Sequence, residues 1–304
     1  MVAVNSSPEQ SVCLGAFRRI REYWPILVAL QFVLGVSMAR GQGMLQSMRD
    51  DVRSPAPAAS ADNEEHHGGD HKGHGDGDDD TFFAEVGVQL AFWTLTSPWW
   101  VPHSALGDDL AIEPRFPKYP YAAVPGYMVG PDCVGLSLSQ FKRWSGRVSG
   151  EYAGDRDDLS RIGGRFLLDT SSRWGLDTEM GYLQENLPGG GHDQLWLGDC
   201  NVVFRFAQSE HMQWRTGLGF NWLDDPRQTD FGFNFTYGVD WFPRKPWVFS
   251  ADVDWGNLGR AEQFRFRTTA GVLLWGIESY VGYEYYDLDS SQDNRLIGGV
   301  RIWF

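Results

Sequence analysis

The chain closes on RLIGGVRIWF, residues 295–304, and that stretch decides the fold. In an extended strand, side chains alternate between two faces. Leu296, Gly298, Val300, Ile302 and Phe304 then share a face with no charge. Arg295, Ile297, Gly299, Arg301 and Trp303 share the opposite face. The same period of two, rather than 3.6, runs back to residue 144. Ten such segments, bounded by turn signals, cover approximately 144–154, 159–170, 174–184, 194–207, 212–222, 229–242, 247–255, 261–274, 277–287 and 294–304.

Sorted by parity, one face of the ten segments is aromatic and aliphatic. It includes Val148 and Tyr152, Ile162 and Phe166, Met180 and Tyr182, Trp196 and Val202, Leu218 and Trp222, and Phe231 to Trp241 at alternate positions. It continues through Trp255, Phe264, Val281 and Tyr285, and apart from Glu262 and Asp287 at segment ends no Asp, Glu, Lys or Arg falls on it. The other face holds Arg147, Arg161, Arg165, Arg205, Arg215, Arg265, Arg267, Arg295 and Arg301. It also holds Glu151, Asp169, Asp177, Glu179, Asp199, Asp240, Asp252, Asp254, Glu278 and Glu284. A slip of one residue exchanges the faces of a strand, so the segregation specifies register.

Two geometries satisfy this pattern. In a soluble secreted β-domain the aromatic face is the core and binds an apolar ligand. In a membrane barrel it meets lipid, and the charges line the lumen. Segments of about ten residues suit a tilted bilayer crossing. Aromatics collect at both ends of the apolar bands, with Trp144, Trp174, Trp241 and Phe304 at one end and Tyr182, Trp196, Trp255 and Tyr285 at the other. Connections at SSR, QSEH, PRKP and WG are short, and those between them read as longer and more acidic. The charged face turned to lipid would cost roughly 2–4 kcal/mol per basic residue near the midplane. The prediction is an all-β, antiparallel, up-and-down transmembrane β-barrel of ten strands, with twelve as the alternative.

Over residues 144–304 the chain resembles the bacterial outer-membrane β-barrel class. The resemblance implies a place in the outer membrane among its lipids, and no particular activity. It also implies that the last strand is read by the barrel-assembly machinery, with Leu296, Val300, Ile302 and Phe304 as the assembly signal.

Upstream, Arg18, Arg19 and Arg21 precede the apolar run PILVALQFVLGVSMA, and Ser37 and Ala39 supply small residues for cleavage. Residues 1–39 therefore read as a signal peptide, with a signal anchor as the alternative. Residues 40–81 are Pro/Ala-rich, then His/Gly/Asp-rich, and read as a disordered spacer. Its His66, His67, His71 and His74 are candidates for loose divalent-metal binding. Residues 82–143 read as an irregular Pro-rich segment that caps or plugs the barrel or adds one or two strands. The net charge of −14 argues against a nucleic-acid partner, which would need a basic stripe. Cys13, Cys133 and Cys200 make no disulfide framework.

Nine arginines against ten acids predict a lumen crosslinked by ion pairs, with a narrow polar pore as the alternative. No Gly-x-Ser-x-Gly elbow, His-Glu-x-x-His pair or Walker loop is present. The sequence implies no cofactor, and the reading is that the chain is not an enzyme. Asp224 with Asp225, and His192 with Asp193, are the only catalytic candidates, for a hydrolase acting at the rim.

Overall fold

The computed structural model describes residues 43–53, 96–130, 138–154, 159–187 and 190–304. Ten antiparallel strands form one closed barrel. They are β1 (Trp144–Gly154), β2 (Leu159–Thr170), β3 (Trp174–Asn186), β4 (His192–Gln208), β5 (Met212–Asp224), β6 (Thr229–Trp241), β7 (Trp247–Leu258), β8 (Ala261–Leu274), β9 (Ile277–Leu288) and β10 (Ser291–Trp303). Each pairs with its sequence neighbour, and β1 closes on β10 from Arg147↔Trp303 to Gly154↔Leu296. That closure removes the twelve-strand alternative. Residues 138–140 form a 3-10 turn, and residues 82–95 lie outside the described residues.

The aromatic face points outward. Ile162 is 62% exposed and Trp255 63%, whereas Arg205, Arg215, Asp240 and Glu278 are fully buried inside. A soluble protein does not present an apolar belt around its whole circumference. The fold is that of a transmembrane β-barrel. The soluble reading with an aromatic core is therefore overturned. Girdle rings pack on one another at both rims, Trp174 on Phe204 at 5.0 Å and Tyr182 on Trp196 at 5.1 Å.

The loop reading needs one correction. β7 and β8 are joined by Gly259 and Arg260 alone, and β9 and β10 by Asp289 and Ser290. Beyond the belt the strands keep pairing, as in Asn257↔Glu262 and Gln292↔Asp287. The outward residues there, such as Asn257, Glu262 and Gln292, meet water rather than lipid, so the apolar band disappears from the sequence while the ladder continues. On the opposite rim Trp275 and Gly276 have φ of 53° and 87°, both left-handed, as a tight two-residue hairpin requires.

The spacer reading is also corrected for part of its length. Met44–Arg53 is a helix, α1, with Leu45, Met48 and Val52 buried. It docks inside the rim formed by the β3–β4, β5–β6 and β7–β8 connections. Residues 96–106 are helical, and two isolated bridges, Arg115↔Val129 and Phe116↔Lys142, organise the segment that leads into β1. His66, His67, His71 and His74 lie outside the described residues, as does the 1–39 segment.

Candidate functional site

All nineteen charged residues that parity assigns to the inward face lie in the lumen. Eighteen are buried, and the Arg165 side chain is 10% exposed. They form two clusters and two separate pairs. Near the middle, Arg267 donates to Glu179 and Glu284 at 2.9 Å and to Glu151 at 3.0 Å. Arg161 pairs with Glu284 at 2.9 Å and also with Glu179. Arg265 spans Glu179, Asp199 and Asp254 at 2.8–2.9 Å. Nearer the short turns, Arg165 bridges Asp177 and Asp252, Arg215 bridges Asp240 and Asp252, and Arg147 reaches Asp240 at 3.0 Å. Arg205 pairs with Asp169 at 3.0 Å, and Arg301 with Glu278 at 2.8 Å.

Glu151, Glu179 and Glu284 bring their oxygens within 4.8 Å of one another, a set able to ligate a cation. Arg161, Arg265 and Arg267 already supply the positive charge there, so the glutamates need no metal to be neutralised. Some pairs join neighbouring strands, whereas Arg147–Asp240, Arg165–Asp252, Arg265–Glu179 and Arg267–Glu151 tie strands that are not neighbours across the lumen. A cavity of about 30 Å³ remains among them, lined by Arg161, Glu179, Asp199, Arg265, Glu284 and Arg295. That is room for about two waters.

Asp293 lies outside the ten segments read from the sequence, yet it is 1% exposed on the inward face of β10 and pairs with Arg295. Its parity with Arg295 was the available signal. Tyr280 is another inward residue the charge pattern did not mark, and its hydroxyl donates to Glu151 at 3.0 Å.

Both ends of the lumen are closed. At the β3–β4 rim six inward leucines, Leu159, Leu183, Leu195, Leu223, Leu258 and Leu288, make an apolar collar around Leu45, Met48 and Val52 of α1. Glu185 accepts the first amides of the helix, from Gly43, Met44 and Leu45, at 2.9–3.0 Å. A carboxylate at that end satisfies orphan N–H groups and complements the helix dipole. Arg49 pairs with Asp193 at 2.5 Å and Asp225 at 2.7 Å, and Arg53 with Asp225 at 3.0 Å and Asp230 at 2.8 Å. Asp193 and Asp225, both rim candidates for catalysis, are thus engaged by the plug. Asp224 accepts from Thr229, and His192 is exposed.

At the other rim, Phe116, Tyr121, Tyr127 and Met128 pack against Phe242, Val248, Leu273 and Trp303. The Tyr127 ring stacks on Phe242 at 5.0 Å, and its hydroxyl donates to Asp169 at 3.0 Å. Trp303 donates from Nε1 to Glu278 at 2.7 Å and lies 5.0 Å beneath the Arg147 guanidinium. Phe304 faces outward, and Leu296, Val300 and Ile302 are exposed on the same side. Cys200 is a free thiol on the outward face of β4.

The rim carboxylates outside the membrane give α1 a pH dependence. Hydrogen bonds from Arg49 hold Asp193 below its ordinary range. Burial opposes ionisation of Asp225, but hydrogen bonds from Arg53 and the Arg227 and Gln228 amides outweigh it and hold the carboxyl low. A depressed carboxylate contributes stability above its undocked pKa of about 3.9 and loses it as pH falls through the docked value. Docking of α1 is expected to be flat from pH 7 to 5 and to weaken below pH 4. A spin label on α1 should sharpen its spectrum only in that acid range.

No protein-family model matches the chain, and comparison with curated proteins gave no match. Among solved structures it is similar to Ail of Yersinia pestis, an outer-membrane protein studied in a phospholipid bilayer nanodisc. There the TM-score is 0.31 at 11% identity, over 53% of this chain and 99% of Ail. It is also similar to a porin, KdgM, with a TM-score of 0.25 at 10% identity over 52% of this chain and 99% of that one. A loop-deletion form of OmpT, an outer-membrane protein of Vibrio cholerae, gives 0.28 at 10% identity, over 51% of this chain and 62% of that one. The assignment as a membrane barrel stands on the chain's own features. Its even strand number, outward apolar belt and polar interior are the architecture of outer-membrane-type barrels.

Proposed function

We propose that the chain is a sealed, non-conducting outer-membrane β-barrel that serves envelope structure and is not an enzyme. The observation that carries this is the lumen. Arginine–carboxylate pairs cross it, and both mouths are occupied by the chain's own N-terminal segments. A ten-stranded barrel lies between small barrels whose interior is filled by side chains and porins with open channels. Here the width is taken up by guanidinium groups rather than by water.

The outward belt and two aromatic girdles support lipid as the principal partner. The exposed series Leu296, Val300, Ile302 and Phe304 supports recognition by the barrel-assembly machinery. The engagement of Asp193 and Asp225 by Arg49 and Arg53 weighs against a rim hydrolase, whose acids would have to face substrate. The pore reading is tested directly. In a planar bilayer the purified full-length protein is expected to insert without discrete conductance steps. Reproducible single-channel steps in molar salt would sink the sealed-barrel reading.

A further inference from the structure

The short-turn rim carries four cations that the lumen network does not use. Lys142 and Arg143 immediately precede β1, and Arg244 and Lys245 lie in the β6–β7 turn. Lys142 is half-buried and the other three are exposed. Among the described residues no carboxylate forms an ion pair with any of the four. The acids on this side, Asp108, Asp109, Glu113 and Glu210, belong to the segment 96–130 and to the β4–β5 turn. Asp108 is already taken by Arg173. The backbone beneath the cations is fixed. Lys142 exchanges two hydrogen bonds with Phe116, at 2.9 and 3.0 Å. The Arg143 carbonyl accepts from the Ser171 amide at 2.7 Å and from its hydroxyl at 2.9 Å. The Arg244 carbonyl accepts from the Trp247 amide at 2.9 Å.

Chain order puts each pair of cations just past the edge of the apolar belt. Trp144 opens β1 and Phe304 follows β10, both outward, with their rings 6.1 Å apart. The Lys142 ammonium stands 5.2 Å over the Trp144 ring, so a cation caps this part of the girdle. Arg244 and Lys245 fall between Trp241, the last outward residue of β6, and Trp247, the first of β7. Phe249 packs on both of those rings, at 5.4 and 6.2 Å. β1 and β6 are five steps apart in the closed order of ten strands, so the two cation pairs sit on opposite sides of the barrel. The other rim differs in sign: Asp50, Glu262 and Asp289 are exposed there.

We propose that Lys142 with Arg143, and Arg244 with Lys245, bind anionic phospholipid headgroups of the short-turn-side leaflet, phosphatidylglycerol being the chemistry that fits. Lysine and arginine lay their apolar stems along such a girdle and carry the charge into the headgroup layer. Basic side chains beside a bilayer attract anionic lipid within a Debye length of its surface. A carboxylate partner would cancel that attraction, and none of the four has one. The girdle aromatics hold the acyl side of the lipid while the cations hold its phosphate, so each pair selects headgroup charge as well as depth. The exposed acids of the opposite rim repel the same headgroup, which gives the preference a side.

The inference rests on the membrane placement proposed above, and the experiment separates the two. Full-length protein is reconstituted in phosphatidylcholine vesicles with a trace of nitroxide-labelled phosphatidylglycerol or phosphatidylcholine. Spin resonance then reads the motionally restricted fraction of each lipid at the barrel surface. The variant Lys142→Gln, Arg143→Gln, Arg244→Gln, Lys245→Gln is first checked for heat-modifiable migration. Its ratio of restricted phosphatidylglycerol to phosphatidylcholine is expected to fall about twofold from wild type. Molar salt should produce the same fall in the wild-type protein, because the Debye length shrinks to about 3 Å. The charge-keeping set Lys142→Arg, Arg143→Lys, Arg244→Lys, Lys245→Arg should hold the wild-type ratio. So should Arg227→Gln with Arg260→Gln, which removes two cations from the opposite rim. Restricted lipid whose ratio ignores both the four-site variant and salt would overturn the headgroup sites alone. An equal fall in the opposite-rim variant would also overturn them, in favour of net charge. Absence of any restricted lipid around the wild-type protein would overturn the membrane placement and the headgroup sites together.

Discussion

Arg267→Met is expected to destabilise the assembled barrel by about 3–5 kcal/mol, the usual cost of stripping one partner from a buried ionic network. Arg267 is 4% exposed, and its three guanidinium nitrogens reach Glu151, Glu179 and Glu284 from β1, β3 and β9. Methionine fills similar volume but leaves three glutamates within 4.8 Å of one another with one fewer cation among them. Arg161 and Arg265 remain, and each already serves several acids. The measurement is urea unfolding in lipid vesicles, followed by loss of the compact form on unheated gels. Adding Glu284→Gln should restore part of the loss, because it removes a charge that Arg267 no longer meets. The double variant is expected to lie closer to wild type than the sum of the single effects by about 0.5–3 kcal/mol. A single-variant cost below about 1 kcal/mol would mean that water, rather than the arginines, solvates the glutamates.

The lumen pairs were legible because lipid forces a strict rule. An outward residue must be apolar over the height of the bilayer, so parity alone sorts Arg147 from Val148 and Glu284 from Tyr285. Above the bilayer that rule lapses, and β9 and β10 looked shorter than they are. Asp287 and Gln292 pair across the extended ladder, where the sequence resembles an acidic loop.

The helix α1 was illegible for a different reason. Ten residues with four apolar positions, Met44, Leu45, Met48 and Val52, cannot hold a helix in water. Its stability comes from the collar and from Glu185, both more than a hundred residues away. The collar itself left a trace in the sequence. Leu183, Leu195, Leu223 and Leu288 fall on the otherwise charged face, all at one rim. Apolar residues there have no lipid to meet, so they required an occupant from elsewhere in the chain. The segment 96–130 left no comparable trace, because its prolines break any period and its partners are fixed by Arg173, Tyr237 and Trp303.

Trp303→Ala and Phe304→Ala are expected to fail in opposite ways, although the residues are adjacent. Trp303 is 3% exposed, bonds Glu278, lies against Arg147 and packs on Tyr127 at 5.3 Å. Its truncation opens the base of the lumen and should cost about 3–5 kcal/mol once the barrel is assembled. Phe304 is 37% exposed, and its backbone pairs with Gly146 across the β1–β10 seam at 2.8 and 2.9 Å. Its ring covers Gly146 so closely that a Cβ there would lie 2.7 Å from the ring, and Trp144 flanks it at 6.1 Å. Alanine keeps the backbone pair and loses only a half-exposed ring, so the finished barrel should change by about 1 kcal/mol. Assembly is the step that meets Phe304 before the seam closes. In pulse-labelled cells Phe304→Ala should slow conversion to the heat-modifiable form several-fold, whereas Trp303→Ala should convert at near-normal rate and then unfold at lower urea. Equal assembly rates for the two variants would separate the terminal aromatic from any role as a recognition signal and leave it only a girdle residue.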